Sequence, residues 1–324
     1  MSVTRVSVGK IICTTCLVLT CILVQGITTI SMLFADGTSR GRTLWYAVKG
    51  SGIFEEKYVH RCDRIPKIVI YNRIPKAGSS TTIDLLNKLQ KANRFTLHHT
   101  GAPHHNYTLV HMAIEAALRR PGRTLICGHF AYPEVEHGDD IVYINLLREP
   151  VSRIVSEYYY SRYGDRPIQA KLEFIKKRGS LSLNECVQMD RLGRRECLGS
   201  ARDVEVGQSS YFCGRDQGEC FGLKSADVYE RGSSNMRSIF IVGVMERYVD
   251  FLRELELTLP EFFRNATELY DGKHSNVGKF PLQYASPDNK TIEFLKNATE
   301  LDEKLYQEAV LLQIKQLRAC ENRK

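Results

Sequence analysis

Lys76, His129 and Arg148 are the polar side chains of this chain best suited to handling an anionic reacting group, and each follows directly on a short apolar run. Lys76 lies in IVIYNRIPKAGSSTTIDLL, residues 68–86. Pro75 and Gly78 punctuate a loop there, and Ser79, Ser80, Thr81 and Thr82 are N-cap types ahead of the apolar helical face of Ile83, Leu85, Leu86 and Leu89. A loop feeding a helix N-terminus offers unpaired backbone N–H groups and the positive end of a dipole, which suits a phosphate. Taken alone, the stretch reads either as a phosphate cradle with Lys76 as a mobile cation, or as an ordinary strand–turn–helix connection with a solvated Lys. It is neither GxxxxGK[ST], in which Lys sits directly before the helix, nor GxGxxG. Arg148 opens REPVSRIVSEYY, with Ser156 about two helical turns further on. A guanidinium forks onto phosphate and a hydroxyl adds a further contact; the plainer reading is an Arg that caps a helix or pairs with Glu149.

Strand-like runs that position these groups alternate with helical ones. Residues 68–71, 124–127, 141–147 and 238–244 are apolar and rich in β-branched or aromatic types. Residues 151–160 read as a helix, as does a segment with Val249, Leu252, Leu255 and Leu259 on its apolar face, and residues 291–318. Uninterrupted apolar strands between helices predict an α/β fold with a parallel sheet covered on both faces. In such folds ligands sit at the carboxyl ends of strands, where Lys76, His129 and Arg148 all fall.

The chain has 324 residues and a formal net charge of +8. Residues 11–35 carry no charged side chain and are long enough to span a bilayer, and Arg5 and Lys10 precede them. The expected organisation is a cytoplasmic tail (1–10), a transmembrane signal anchor (11–35), a polar stem (36–65) and a luminal domain (66–324). Sequons at Asn106, Asn265, Asn289 and Asn297 agree with a luminal location. Seven cysteines follow the apolar stretch: Cys62, Cys127, Cys186, Cys197, Cys213, Cys220 and Cys320. Cys186 with Cys197 and Cys213 with Cys220 are close pairs suited to disulfides; neither has the C-x2-4-C spacing of a zinc site, and no acidic metal cluster is evident. An odd count leaves at least one thiol free or paired between chains.

Together YNRIPKAGSSTT and REPVSRIVSEYY form the donor-site pattern of sulfotransferases, a 5′-phosphosulfate loop followed by a 3′-phosphate site of the form R-[DE]-P-x-x-R-x-x-S-x-Y-Y. With GHFAY, YINLLREP, SEYYYSRYGD, NEC, YFCG, FIVGVMER and FFRNATELY, the chain resembles the heparan sulfate and uronyl 2-O-sulfotransferase family from about residue 68 to 317. The resemblance implies a P-loop-like sulfotransferase fold, with a central parallel sheet flanked by helices behind an N-terminal transmembrane helix. It implies that Arg73, Lys76, Ala77, Gly78, Ser79, Ser80 and Thr81 surround the 5′-phosphosulfate of PAPS (3′-phosphoadenosine 5′-phosphosulfate). Arg148 and Ser156 would hold the 3′-phosphate, His129 would be the catalytic base, and Lys76 would assist transfer. An imidazole, with an ordinary pKa near 6.5, suits a base in a mildly acidic Golgi lumen. The acceptor would be the 2-hydroxyl of hexuronic acid in heparan sulfate, with no metal required. His99, Arg162, Arg166, Lys177 and Arg178 are the implied glycan contacts, on a basic surface serving a sulfated sugar rather than nucleic acid. The resemblance further implies a single-pass type II protein of the Golgi membrane and a homotrimer. Cys127 stands where the heparan enzymes carry a second His. Two other readings are dermatan or chondroitin uronic acid as acceptor, and a catalytically silent glycan-binding membrane protein. A small-molecule kinase lacks support, because the Walker spacing and a Mg²⁺-binding Asp are missing.

Overall fold

Five short strands, four of them with an apolar sequence too continuous for a solvated face, form the centre of the protein. The computed structural model describes residues 62, 64–101, 107–135, 138–164, 168–178, 180–198, 207–214, 220, 226–272 and 285–322, all within one compact unit, Tyr58–Lys324. In chain order the main elements are β1 (Ile68–Asn72), α1 (Ser79–Asn93), β2 (Thr96–His99), α2 (Tyr107–Arg119), β3 (Thr124–Gly128), β4 (Ile141–Leu147), α3 (Pro150–Tyr163), α4 (Ile168–Arg178), α5 (Leu183–Gln188) and α6 (Arg191–Leu198). They continue with α7 (Ala226–Ile239), β5 (Phe240–Val244), α8 (Tyr248–Thr258), α9 (Asn289–Ala298) and α10 (Glu300–Glu321). The sheet order is β2-β3-β1-β4-β5, and every pairing is parallel.

Alternate residues of β1, β3, β4 and β5 enter opposite cores. Ile68, Ile70, Ile126, Tyr143, Phe240 and Val242 pack with Val110 and Ile114 of α2, Met236 of α7 and Leu305 and Leu312 of α10. Val69, Tyr71, Leu125, Val142, Ile144 and Ile241 pack with Leu85, Leu86 and Leu89 of α1 and Phe251, Leu252 and Leu255 of α8. This period-2 division between two covered faces is the physical reason the strands lack polar alternation. β2 was not anticipated: TLHH is mostly exposed, and its place comes from pairing with β3. In α8, Val249 lies outside the apolar face and Phe251 inside it. The predicted helix over 291–318 is two helices, α9 and α10, broken at Thr299. The apolar stretch 11–35 lies outside the described residues; no helix among those described is long and apolar enough to cross a membrane.

α10 also runs along the outer edge of β5. Gln313 Oε1 accepts from the Val244 N–H at 3.2 Å, Gln316 Oε1 accepts from the Val242 N–H at 3.2 Å, and Gln316 Nε2 donates to the Phe240 carbonyl at 2.9 Å. Two glutamine amides thereby satisfy an edge that would otherwise expose ladder groups. Disulfides join Cys186 to Cys197, Cys213 to Cys220, and Cys62 to Cys320 on α10. With the Arg64 N–H donating to the Thr258 carbonyl at 2.7 Å, the last bridge fastens Cys62 and Arg64, both expected to be stem, onto the domain. Cys127 is the free thiol among the described residues.

Glu254 on α8 is fully buried, and neither carboxylate oxygen has a hydrogen-bond partner among the described residues. Burial holds its pKa well above the ordinary carboxylate value. The folded protein therefore keeps Glu254 protonated where the unfolded chain ionises it. Its contribution to stability is complete below the unfolded pKa and is lost as pH rises through the folded one, by up to about 1.4 kcal/mol per pH unit. Denaturant unfolding measured from pH 5 to 8 should show this decline, and Glu254→Leu should flatten it and raise stability at the alkaline end.

Candidate functional site

The connections after β1 and β4, neighbours at the middle of the sheet, leave in opposite directions: β1 leads toward β3 and β2, and β4 toward β5. A crevice at the carboxyl ends of two such strands is where open α/β sheets bind ligands. The loop after β1 and the start of α3 border it.

Between β1 and α1, Lys76 and Gly78 adopt left-handed backbone conformations, with φ of 62° and 81°. Gly78 is required twice over. Its φ disfavours any L side chain, and a Cβ there would lie 2.2 Å from Met245 Sδ. α1 then starts at Ser79 without a side-chain cap, so the Ser79, Ser80 and Thr81 N–H groups have no intrahelical acceptor. The rear of the turn is pinned: Tyr248 Oη donates to Thr82 Oγ1 at 3.2 Å, and Thr82 Oγ1 donates to the Gly78 carbonyl at 3.2 Å. Arg73 Nη2 donates to Ser79 Oγ at 3.3 Å, while Arg73 Nε is buried with no partner among the described residues. Lys76 Nζ rests 3.5 Å from the centroid of the Tyr160 ring, a cation–π contact.

Arg148 joins this loop from the other strand, its Nη1 donating to the Lys76 carbonyl at 3.1 Å. Glu149 caps α3, accepting from the Val151 and Ser152 N–H groups at 3.0 and 2.7 Å ahead of Pro150. Ser156 is half-buried on the same helix. His129, just past β3, lies with Nδ1 3.0 Å from the Arg73 carbonyl. Only a protonated nitrogen bonds a carbonyl, so Nδ1 carries the hydrogen and Nε2 is the basic nitrogen. The structure thus brings the Lys76 loop, Arg148 and His129 together through two hydrogen bonds to backbone carbonyls of one loop.

Cys127 Sγ lies 3.3 Å from His99 Nδ1. Burial pushes the Cys127 thiol up to about 11, and desolvation, then Arg73 and His98, lower the pKa of His99. A neutral thiol beside a neutral imidazole follows, with the S–H donating to nitrogen. His99 itself is exposed at the end of β2.

Arg162, expected to meet a glycan, is instead 1% exposed. Its guanidinium stacks on Tyr158 at 3.7 Å and donates to the Cys197 carbonyl at 2.7 Å, binding α3 to α6. Lys177 and Arg178 fall in the last turn of α4, and Arg166 lies outside the described residues. Asn265, Asn289 and Asn297 are exposed, and Asn106 lies outside the described residues. Among the described residues no group of three His, Cys, Asp or Glu side chains is placed to hold a metal ion.

Sequence reasoning passed over a set of buried amides under the site. Asn145 Nδ2 donates to the Asn72 carbonyl at 2.8 Å and to Asn72 Oδ1 at 3.0 Å, and Asn72 Nδ2 donates to the Tyr211 carbonyl at 2.8 Å. Gln208, fully buried, brackets the backbone of Arg148. The available signal was an Asn within each of two otherwise apolar strands, IVIYN and IVYINLL.

Gly122 separates the two demands on Gly78, since its φ is 85° but nothing lies within 4 Å of its would-be Cβ. Gly122→Ala should cost about 1 kcal/mol of unfolding free energy from backbone strain alone. Gly78→Ala should cost a further 1–3 kcal/mol, roughly, from overpacking. Equal losses in thermal unfolding would contradict the packing at Gly78.

The family model described as "Sulfotransferase family" matches residues 66–307. The chain is 30% identical over 247 residues to heparan sulfate 2-O-sulfotransferase 1 of Mus musculus and, equally, to that of Homo sapiens, covering 71% of this chain and 65% of each relative. It is 28% identical over 244 residues to heparan sulfate 2-O-sulfotransferase hst-2 of Caenorhabditis elegans, covering 71% of this chain and 72% of that one. The chain therefore spans about two thirds of the length of the vertebrate relatives it matches. With the match running through the strands, the Lys76 loop, His129 and Arg148, the chain belongs to the sulfotransferase family.

Proposed function

We propose that this protein transfers a sulfuryl group from PAPS to the 2-hydroxyl of hexuronic acid, iduronic more than glucuronic, in heparan sulfate. The observation that carries the reading is the Arg148–Lys76 carbonyl bond, which unites an uncapped helix N-terminus and a strand-terminal Arg at one crevice. The residues present fit a donor with phosphates at two positions. Gly78 allows the left-handed turn and its close approach to Met245 and Leu146, the first-turn amides of α1 face no side-chain cap, and Arg73 keeps a buried N–H in reserve. Arg73, Lys76, Ala77, Gly78, Ser79, Ser80 and Thr81 would hold the 5′ end, and Arg148 and Ser156 the 3′-phosphate.

When bound, PAPS supplies the sulfuryl group and departs as the 3′,5′-bisphosphate. His129 accepts the proton of the acceptor hydroxyl at Nε2, its ring orientation and tautomer set by the Nδ1–H bond to the Arg73 carbonyl. Lys76 and the α1 amides offer positive charge where negative charge builds on the leaving oxygen. The net charge of +8 draws a polyanionic acceptor, an attraction that weakens with salt. The heparan sulfate acceptor is supported by the names of the relatives. The apolar stretch 11–35, the sequons and the disulfides support a type II protein of the Golgi membrane with its catalytic domain in the lumen, and a homotrimer belongs to the same reading. Cys127, in place of a second His, gives uronic acid in dermatan or chondroitin sulfate a claim as alternative acceptor.

Incubation with PAPS and desulfated heparosan-type, dermatan or chondroitin chains, followed by disaccharide analysis, tests the proposal. Sulfate should appear at the uronic acid 2-position of the heparan-type acceptor. Transfer to glucosamine would overturn the reaction assigned, and no transfer to any chain would favour a glycan-binding protein. His129→Ala should lower turnover by about 10²–10⁴-fold while leaving bisphosphate nucleotide affinity within about threefold. Arg148→Ala should weaken that affinity by about 10–100-fold, the loss of a charge-assisted hydrogen bond.

A further inference from the structure

Arg148 lies one residue beyond the last ladder pair of β4 with β5, Leu147 with Val244. The sheet no longer satisfies its backbone, and one buried side chain does so instead. Gln208 Oε1 accepts from the Arg148 N–H at 3.0 Å, and Gln208 Nε2 donates to the Arg148 carbonyl at 2.8 Å. A single amide thus occupies both backbone groups of Arg148, as a neighbouring strand would.

Gln208 is held in turn from α10. Its own N–H donates to Asp302 Oδ2 at 2.9 Å. Asp302 is buried and faces Arg153 at 3.8 Å, the second Arg of REPVSR, which is 1% exposed. Gly207 has no room for a side chain, because a Cβ would lie 2.4 Å from Asp302 Oδ1. One turn further along α10, Tyr306 Oη donates to Glu246 Oε2 at 3.0 Å, and Glu246 Oε1 accepts from the Glu149 N–H at 3.1 Å. Asp302 and Tyr306 are four residues apart, so they share one face of the helix.

We propose that Gln208 and Glu246 are positioning residues for the donor site, and that Asp302 and Tyr306 make the first two turns of α10 the brace that sets the aim of the Arg148 guanidinium. The proposal rests on the reading of Arg148 as a donor-phosphate residue. Neither Gln208 nor α10 need touch the donor: a small rotation of the Arg148 backbone is magnified along its long side chain, and the brace removes that rotation before binding. Pre-organisation of this kind appears as affinity for the nucleotide.

The test uses the full chain and adenosine 3′,5′-bisphosphate, with titration calorimetry as the readout. Gln208→Glu keeps the shape and the acceptor but lacks the donor while ionised. Affinity should fall about tenfold at pH 8 and recover as the pH is lowered to 5.5, where the neutral carboxyl again offers a hydrogen to the Arg148 carbonyl. Gln208→Leu should bind weakly throughout, and it controls for other groups that titrate in that range. Tyr306→Phe, which deletes one hydroxyl, should weaken binding about threefold and raise the KM for PAPS without raising that for the glycan. If Gln208→Glu and Tyr306→Phe bind within twofold of the parent while Arg148→Ala binds poorly, the brace is overturned and the donor site stands. Identical pH profiles for the Glu and Leu variants would also overturn it. Full affinity in Arg148→Ala would instead overturn the donor-site reading.

Discussion

The hydrogen bond from the Arg148 guanidinium to the Lys76 carbonyl joins two segments 72 residues apart in the chain. It forms only because β1 and β4 are adjacent, parallel and in register, Ile68 beside Ile141 through Tyr71 beside Ile144. β4 then runs beyond β1, which brings its terminal Arg over the loop that β1 releases. His129 uses the same loop from the other side, and the Arg73 N–H donates to the Gly128 carbonyl at 2.7 Å. Sheet register is therefore a functional quantity here. A one-residue slip of β4 would carry Arg148 away from Lys76 and exchange the side chains of two cores.

Polar groups beneath the site are costly to bury and are accordingly paired. Asn145 bonds to Asn72 between the strand ends, and in a second set Gln208 bonds to the Arg148 backbone and to Asp302 on α10. Removing one member would leave its neighbour buried without a partner, the expensive case. Glu254 contrasts with these amides, a carboxyl in the wall of α8 with neither oxygen partnered among the described residues, kept neutral by its surroundings. The contrast fits their positions: the paired groups hold elements that meet at the crevice, whereas Glu254 lies on the apolar face of a covering helix.

Much of this was legible in the sequence. β1, β3, β4 and β5 are buried on both faces, so their apolar runs are unbroken, and the Lys76 loop and REP segment announce themselves by turn residues and a helix start. β2 was not legible because an edge strand such as TLHH need not be apolar. The resemblance put Arg162 among the glycan contacts, but a basic type alone does not show exposure, and this one finds a Tyr face and a carbonyl in the interior. The brace was invisible because Gln208 and Asp302 owe their partners to chain segments 60 and 94 residues away. The Cys62–Cys320 pairing was equally hidden, since spacing suggests only short loops and does not fix connectivity.

That bridge connects cysteines 258 residues apart, and its second partner lies near the end of the helix that braces Arg148. On a chain made from its N-terminus, the loop around Lys76 emerges well before β5 and α10. The early segments must wait for partners still inside the ribosome, and Cys62 cannot meet Cys320 until almost the whole unit has been delivered. Completion of the crevice and closure of this covalent loop thus both depend on delivery of α10.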